Sequence, residues 1–249
     1  MKSYQEILTE KLGSKLFYYA EVDSTNQIAN NLKKWKHGMV VVAKAQTAGR
    51  GTYGRSFYSA ANRGIYMTLI LDTTAWHFRE TDLATLYTAV AVAEAVAEVT
   101  GIELAIKWVN DLFLNRRKVA GILTEADSQS NKLTIGIGIN LSGTKSDFPA
   151  EIQNSATSLG LAEPIDKEAA AIVLMIYEKM MRATEFSDVT TMLNWYKKRL
   201  FILGEKVEIA VGNEVFVAKI IDVAMDGKLV INRGKEIMHL GIGEVRIML

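Results

Sequence analysis

Apolar residues along the chain fall into short runs that are rich in β-branched and aromatic side chains. Runs of this kind predict buried strands, and the last two are expected to pair as an antiparallel hairpin. They read LFYYAEV (16–22), MVVVAKA (39–45), GIYMTLIL (64–71), LAIKWV (104–109), DLFL (111–114), KVAGILTEA (118–126) and KLTIGIGINL (132–141).

Helical spacing and capping residues predict helices around these strands. They are expected over 3–12, from the cap cluster at 23–26 through about Lys34, and over 82–101, 166–184 and 188–200. The stretch 82–101 is apolar on nearly every face, which predicts a well-buried helix.

After Leu203-Gly204 the pattern changes to short alternating strands. Turns are expected at Gly212-Asn213, Asp226-Gly227 and Arg233-Gly234, and a single run is expected over 236–249. This spacing predicts a small all-β module on the scale of an SH3-like barrel. The chain is therefore expected to be α+β, with one domain over 1–200 and a second over 204–249.

A glycine-rich loop, QTAGRGTYGRS (46–56), separates two of the predicted strands. It matches both the G-x-G-x-x-G pattern and a P-loop with Arg55 in place of lysine. Both motifs require a helix after the loop, whereas residues 55–63 lack a helical period and lead into another strand. Two interpretations stay open: a flexible turn, or arginines and backbone N–H groups arranged for a phosphate or carboxylate.

Two further segments carry candidate chemistry. In KWVNDLFLNRRKVAGIL (107–123), Lys107 and Asp111 flank a turn where an acid is suited to Mg²⁺. Lys118 begins an apolar strand and is expected to point into a cavity, while Gly121 allows close approach to the backbone. The alternative is that this segment is an ordinary hairpin with a basic turn and no role in binding. The segment DSTN (23–26) is either a helix cap or a set of polar ligand contacts, and both roles are compatible.

Composition narrows the classes of function. Lysine plus arginine (29) nearly balance aspartate plus glutamate (28). The chain therefore lacks the excess of positive charge that would indicate binding to nucleic acid or to an anionic membrane. The absence of cysteine excludes thiolate metal sites and cysteine nucleophiles, and three scattered histidines disfavour a histidine metal cluster. The polar start is not a signal peptide, so the cytoplasm is expected.

Taken in order, the three segments resemble the catalytic core of the biotin protein ligases. That family carries S-T-N, then Q-x-x-G-R-G-R-x-G-R, then K-W-P-N-D followed by K-x-x-G-I-L. The matching residues are Ser24-Thr25-Asn26, Gln46 through Arg55, Lys107 through Asp111, and Lys118 with Gly121-Ile122-Leu123. Gly136, Gly138 and Asn140 also match, and the resemblance covers essentially the whole chain.

The resemblance implies a fold and an activity. The fold is a mixed, largely antiparallel sheet flanked by helices, like class II aminoacyl-tRNA synthetases, with a C-terminal SH3-like barrel. The activity is activation of biotin by Mg·ATP to biotinyl-5′-AMP, then transfer to one lysine of the biotin carboxyl carrier domain of acetyl-CoA carboxylase. Neither DNA nor a membrane is an expected partner, and a homodimer is plausible through sheet edges.

The resemblance also implies roles for individual residues. Ser24, Thr25 and Gln46, with Asn26 beside them, are expected to hold the ureido end of biotin, which needs both donors and acceptors. Arg50, Gly51 and Thr52 are expected over the carboxyl and adenylate phosphate. Lys118 is expected on the carboxylate and acyl phosphate, and Gly121 and Gly136 in the biotin site. Arg55, Lys107 and Asn140 are expected at ATP, and Asp111 at Mg²⁺ or as general base. Trp108 is either a neighbour of the adenine or a core residue, and the core is favoured.

The sequence departs from the family pattern in four places. Thr52 replaces an arginine that helps retain the adenylate, so faster leakage of biotinyl-AMP is expected. Val109 replaces the proline of K-W-P-N-D, and Ile137 replaces a small residue in the pocket wall. Because S-T-N begins at residue 24, no N-terminal helix-turn-helix domain is expected.

Two rival functions are compatible with the sequence. A lipoate or octanoate ligase shares this fold, but lacks the G-R-G-R-type loop and does not need the polar S-T-N and Gln46 set. The second rival is a non-catalytic biotin-binding protein, which is suggested by Thr52 in place of the family arginine.

Overall fold

Two β-sheets and five α-helices build the part of the chain that the computed structural model describes, residues 2–75, 81–127, 129–183, 188–242 and 245–248. The helices are α1 (Tyr4–Leu12), α2 (Thr25–Asn31), α3 (Thr81–Thr100), α4 (Asp166–Arg182) and α5 (Val189–Arg199). The strands of the large sheet are β1 (Leu16–Val22), β2 (Met39–Gln46), β3 (Gly64–Asp72), β4 (Ala105–Lys107), β5 (Asp111–Leu114), β6 (Arg117–Ala126) and β7 (Lys132–Asn140).

The large sheet has the strand order β1-β2-β3-β7-β6-β5-β4. Its β1–β2 pair is parallel, because α2 returns the chain across the sheet, and the other neighbouring pairs are antiparallel. The glycine-rich loop joins the antiparallel strands β2 and β3 without an intervening α-helix, which is what the sequence predicts. The expected mixed, largely antiparallel sheet is confirmed.

Helices cover both faces of this sheet. Val40 and Val42 of β2 belong to the main core, whereas Val41 packs with Ala29 of α2 and Ile70 on the other face. Burial on both faces explains why β2 reads as a continuous apolar run. Helix α2, which begins at the S-T-N motif, thus packs against one face of the sheet, and that face carries the candidate site.

Helix α3 is the central helix of the main core. Its segment Leu83–Thr100 is long and apolar enough to cross a membrane by length and composition alone, but 72% of it is buried inside the fold. The prediction of a well-buried helix is confirmed, and core packing accounts for its composition.

The C-terminal module is a five-stranded antiparallel sheet with the order β11-β10-β9-β8-β12. Its strands are β8 (Lys206–Val211), β9 (Glu214–Val223), β10 (Leu229–Arg233), β11 (Glu236–Leu240) and β12 (Val245–Met248). The single run expected over 236–249 was wrong, since β11 pairs with β10 while β12 crosses to pair with β8. One continuous strand cannot reach both edges of the sheet.

Two other predicted elements are shorter in the structure. Helix α2 ends at Asn31 rather than at about Lys34, because the Leu32 backbone is extended. The buried Lys132 ammonium donates hydrogen bonds to the carbonyls of Asn30 and Leu32 at 2.9 and 3.3 Å, which satisfies the end of the helix. The strand expected over 104–109 is reduced to β4, and the Trp108–Val109 peptide beyond it is cis. The end predicted for α4 at residue 184 lies outside the described residues.

The two modules share one hydrophobic core. The connector between α5 and β8 contains the predicted domain boundary at 200–204, but the main cluster of buried residues runs through both modules. Trp108 Nε1 donates across the junction to the Gly227 carbonyl at 3.0 Å. Tyr196 donates its hydroxyl to the Val109 carbonyl at 3.0 Å, and burial raises the pKa of this phenol well above its usual value. The first contact holds Trp108 against the C-terminal module, and the second holds Val109 against α5.

Candidate active site

Two connected cavities open on the α2 face of the sheet. The inner one has a volume of about 30 Å³ and the outer one, between the large sheet and the C-terminal module, about 800 Å³. The predicted residues that line the inner cavity are Ser24, Thr25, Asn26, Gln46, Arg50, Gly51, Thr52, Lys118, Gly121 and Gly136. Those that line the outer cavity are Gly51, Thr52, Arg55, Lys107, Trp108, Asp111, Lys118 and Asn140. The fold therefore brings three distant sequence segments to one place.

A chain of hydrogen bonds orders the polar wall of the inner cavity. Gln46 Oε1 accepts from the Thr25 backbone N–H at 2.8 Å and from the Thr25 hydroxyl at 3.1 Å. Gln46 Nε2 donates to the Ser59 hydroxyl at 2.8 Å. Ser24 caps α2 and also lines the cavity, so the helix cap is confirmed and a ligand contact at the same residue stays a prediction. The wall thus presents donors and acceptors in a defined order.

Asn26 lies in a narrow slot between α2 and β7 and is only 3% exposed. A Cβ atom at Gly136 would lie 2.1 Å from Asn26 Oδ1, so this slot exists only because residue 136 is glycine. Asn26 Oδ1 accepts from the Thr68 hydroxyl at 2.7 Å, and Nδ2 donates to Glu125 Oε2 at 2.8 Å. Every polar atom of this buried amide therefore has a partner.

The β4–β5–β6 segment presents a lysine and a carboxylate to the cavity together. Lys107 pairs with Asp111 across the β4–β5 turn, and Asp111 pairs with Gly121 across β5–β6. Lys118 Nζ lies 2.6 Å from Asp111 Oδ1. A Cβ atom at Gly121 would lie 3.1 Å from the end of the Lys118 side chain, so glycine leaves room for this ion pair. The sequence prediction that Lys118 points into a cavity is matched by the structure.

The glycine-rich loop closes on itself at the junction of the two cavities. Gly51 N–H donates to the Arg55 carbonyl at 2.7 Å, and Tyr53 at the tip has a φ of 58°. Arg55 folds back so that its Nε and Nη2 donate to the Thr52 carbonyl and hydroxyl at 3.2 and 3.0 Å. A guanidinium therefore contacts the threonine that departs from the family pattern.

The C-terminal module supplies a wall that the sequence interpretation did not assign. Ile242, Val245 and Ile247 line the outer cavity. Lys107 Nζ donates to the Ile247 carbonyl at 2.9 Å, and the Tyr53 hydroxyl donates to the Val245 carbonyl at 3.0 Å. The sequence of β12 shows only the pattern of a strand, so no local motif indicates that these positions line a cavity.

Phe57 is a second residue that sequence reasoning missed. It lines both cavities, and its ring lies over Gly138, where a Cβ atom would be 2.5 Å from the ring. The Lys118 ammonium is 6.0 Å from the ring centroid, within the range of a cation–π contact. The only sequence signal is an aromatic residue shortly after the glycine-rich loop, which does not by itself indicate an inward direction.

The remaining predicted positions are structurally well defined. Trp108 is 6% exposed, so it is a core residue that also borders the outer cavity. Asn140 Nδ2 donates to the Thr157 carbonyl at 3.1 Å beside the same cavity. Ile137, 3% exposed, forms part of the inner wall.

Cations dominate the charged lining of the outer cavity. Arg55, Lys107, Arg116 and Lys118 face it with Asp111 as the acid, which suits a polyanion such as a polyphosphate. Within the described ranges, no group of three His, Cys, Asp or Glu residues is placed to hold a metal ion. Mg²⁺ is commonly held by one or two carboxylates together with substrate phosphates, so Asp111 fits an ion that arrives with a nucleotide.

Comparisons with known proteins agree with this geometry. The profile of the Biotin/lipoate A/B protein ligase family matches residues 18–142. The bifunctional ligase/repressor BirA of Bacillus subtilis is 32% identical over 247 residues, covering 96% of this chain and 76% of that protein. The biotin–[acetyl-CoA-carboxylase] ligase of Mycobacterium tuberculosis is 27% identical over 216 residues, or 84% of this chain and 78% of that protein. The biotin protein ligase from Aquifex aeolicus in complex with biotin and ATP superposes with a TM-score of 0.81 at 27% identity, covering 94% of this chain and 99% of that one.

Proposed function

The chain belongs to the biotin/lipoate A/B protein ligase family, and from this premise we propose that it is an ATP-dependent biotin–[acetyl-CoA-carboxylase] ligase. It joins biotin to AMP and then transfers biotin to a lysine of a carboxyl carrier domain. The observation that carries this proposal is a small pocket with an ordered polar wall that opens, at Lys118, into a large cationic cavity. A urea ring requires donors and acceptors, whereas a triphosphate requires cations.

The first half-reaction needs no protein nucleophile. A biotin carboxylate oxygen attacks the α-phosphorus of ATP, the bond to the pyrophosphate oxygen breaks, and biotinyl-5′-AMP and pyrophosphate form. Lys118, at the point where the cavities meet, is placed to stabilise negative charge on the carboxylate and then on the acyl phosphate. Arg55 and Lys107 extend the positive lining toward the leaving group.

The second half-reaction transfers the biotinyl group. The carrier lysine attacks the acyl carbon as a neutral amine, the bond to the phosphate oxygen breaks, and AMP leaves. A base must accept the proton of the lysine, and Asp111 is the carboxylate beside the reaction centre. Its contact with Lys118 is relieved when that ammonium turns to the acyl phosphate.

Mg²⁺ belongs to this scheme as part of the Mg·ATP substrate. When bound, it neutralises phosphate charge, and Asp111 is the protein carboxylate that would contact it.

Biotin binding requires a local rearrangement. The inner cavity, at about 30 Å³, is smaller than a bicyclic ring, and Phe57 packs over Gly138 in its wall. Entry of a bicyclic ring therefore displaces the Phe57 side chain toward the outer cavity, which has space for it.

The test is ATP–pyrophosphate exchange with Mg·ATP and biotin, run in parallel with lipoate and octanoate. Wild-type protein is expected to exchange pyrophosphate only with biotin. Lys118→Gln is expected to slow exchange by about 100-fold or more, the scale for removing one charge-stabilising group. Lys167→Gln, an exposed substitution on α4 that lines neither cavity, is the matched control.

Exchange that is faster with lipoate or octanoate would assign the chain to the other branch of its family. Tight biotin binding without exchange would indicate a binding protein rather than an enzyme.

A further inference from the structure

Glu125, near the end of β6, lies behind the inner cavity and contacts two residues that line it. Its Oε2 accepts from Asn26 Nδ2 at 2.8 Å, and its Oε1 lies 3.7 Å from Arg50 Nη1. Its side chain is 29% exposed and lines neither of the two cavities. The carboxylate is thus placed to act on the pocket through Asn26 and Arg50 rather than by touching a ligand.

The contact with Glu125 is the shorter of two hydrogen bonds that determine which way the Asn26 amide points, the other being to the Leu123 carbonyl. In the slot opposite Gly136, the oxygen and the NH₂ group of an amide occupy nearly the same volume, so packing alone does not select one orientation. A carboxylate can only accept hydrogen bonds. Glu125 at 2.8 Å, together with the Leu123 carbonyl at 3.3 Å, therefore directs Nδ2 toward β6 and leaves Oδ1 facing Thr68, as observed.

This orientation is transmitted along the polar wall. The Thr68 hydroxyl lies 2.7 Å from Asn26 Oδ1 and 2.9 Å from the Thr25 hydroxyl, with one proton to donate. A flipped Asn26 amide would present NH₂ to Thr68 and direct that proton to Thr25 instead. The Thr25 backbone N–H keeps Gln46 Oε1 as an acceptor in either case, so the Asn26 amide sets the protons of the Thr68 and Thr25 hydroxyls and the group that Asn26 itself presents in the wall.

We propose that Glu125 is a positioning residue of the biotin pocket. One carboxylate oxygen holds the Asn26 amide in the orientation that orders the urea-binding wall, and the other keeps the Arg50 guanidinium over the cavity mouth. This inference rests on the proposed function, because it takes biotin as the ligand of the inner cavity.

The test measures biotin binding by calorimetry without ATP in Glu125→Gln and Glu125→Ala. Glutamine keeps the shape but adds an NH₂ donor and removes the charge, so only the longer contact with the Leu123 carbonyl still selects the Asn26 orientation. Both variants are expected to bind biotin about tenfold or more weakly, the scale for hydrogen bonds to a charged group. Desthiobiotin, which keeps the urea but lacks the thioether ring, is expected to lose affinity by the same factor. The KM for biotin should rise while the KM for ATP stays within about twofold, since the two cavities bind different groups.

Asn30→Ala is the matched control. Asn30 donates to the same Glu125 oxygen at 3.1 Å but lines neither cavity, so this variant should bind biotin like wild type. Thermal unfolding checks that each variant is folded, and if the alanine variant is not, the nearly isosteric Glu125→Gln decides.

Unchanged biotin affinity in Glu125→Gln would overturn the inference, as would an equal loss of biotin and ATP binding, which marks a general structural role. Wild-type protein that binds no biotin would instead contradict the proposed function itself.

Discussion

Thr52 occupies the position at which the biotin protein ligase motif carries an arginine, and the structure shows what lies near the missing positive charge. The Arg55 guanidinium contacts both the carbonyl and the hydroxyl of Thr52, so a cation lies close to the position that lacks one. Arg55 is exposed, however, and lines only the outer cavity. Thr52, which lines both cavities, is the position from which a longer side chain would reach from one cavity into the other.

Thr52→Arg is expected to slow the release of biotinyl-AMP by roughly tenfold to a hundredfold, because a charge-assisted contact is regained. The measurement is the dissociation rate of preformed radiolabelled adenylate from wild type and variant. Thr52→Met, which adds length without charge, should release the adenylate as wild type does. Equal rates for wild type and Thr52→Arg would show that retention does not depend on a cation here.

At the scale of the element, the β5–β6 hairpin sets the chemistry of the junction between the cavities. Its register places Asp111 opposite Gly121, and the missing side chain of Gly121 lets Lys118 fold back to within 2.6 Å of the carboxylate. The Lys118 backbone is itself held by the Ser155 carbonyl at 2.7 Å and by the Thr157 N–H at 2.8 Å. Strand pairing thus fixes the backbone positions from which an acid and a cation reach the junction, while the Lys118 side chain can still turn.

Asp111→Asn is expected to slow transfer from preformed biotinyl-AMP to the carrier by about 10²- to 10⁴-fold, the range for loss of a general base. Single-turnover transfer to a carboxyl carrier domain measures this step alone. Pyrophosphate exchange in the same variant reports the first half-reaction and separates a lost base from a misplaced Lys118. A transfer rate equal to that of wild type would remove Asp111 from this role.

At the scale of the whole molecule, the outer cavity exists because two modules meet. Tyr53 on the glycine-rich loop and Lys107 at the end of β4 both donate to backbone carbonyls of β12, and Trp108 donates to the turn after β9. The C-terminal module therefore both lines the cavity and forms hydrogen bonds that position the glycine-rich loop and the end of β4. Nucleotide binding and the position of this module are expected to be coupled.

Tyr53→Phe removes only the hydroxyl that bonds to β12. It is expected to weaken ATP binding a few-fold, the scale of one neutral hydrogen bond, and to leave biotin binding unchanged, because Tyr53 lines only the outer cavity. Calorimetry with each ligand separately is the measurement. Tyr87→Phe is the matched control, since that hydroxyl also bonds a backbone carbonyl but on the far helices. Equal losses for biotin and ATP would contradict the separation of the two cavities.

The sequence by itself determined the features that depend on neighbouring residues. The strand–loop–strand context excluded both nucleotide-binding motifs around Gly49, and the three motif segments identified most of the cavity lining. Such features are local because strand pleating, turns and helix caps are set within a few residues. The α+β architecture with a small β-module was predicted on the same grounds.

Only the tertiary structure decided which side chains meet across long separations. Tyr53 and Val245 are 192 positions apart, and Asn26 and Glu125 are 99 apart, yet each pair forms a hydrogen bond. Phe57 turns inward because Gly138 on another strand leaves space for its ring. The physical reason is that hydrophobic periodicity specifies which face of an element is buried, whereas strand order and packing specify what that face meets.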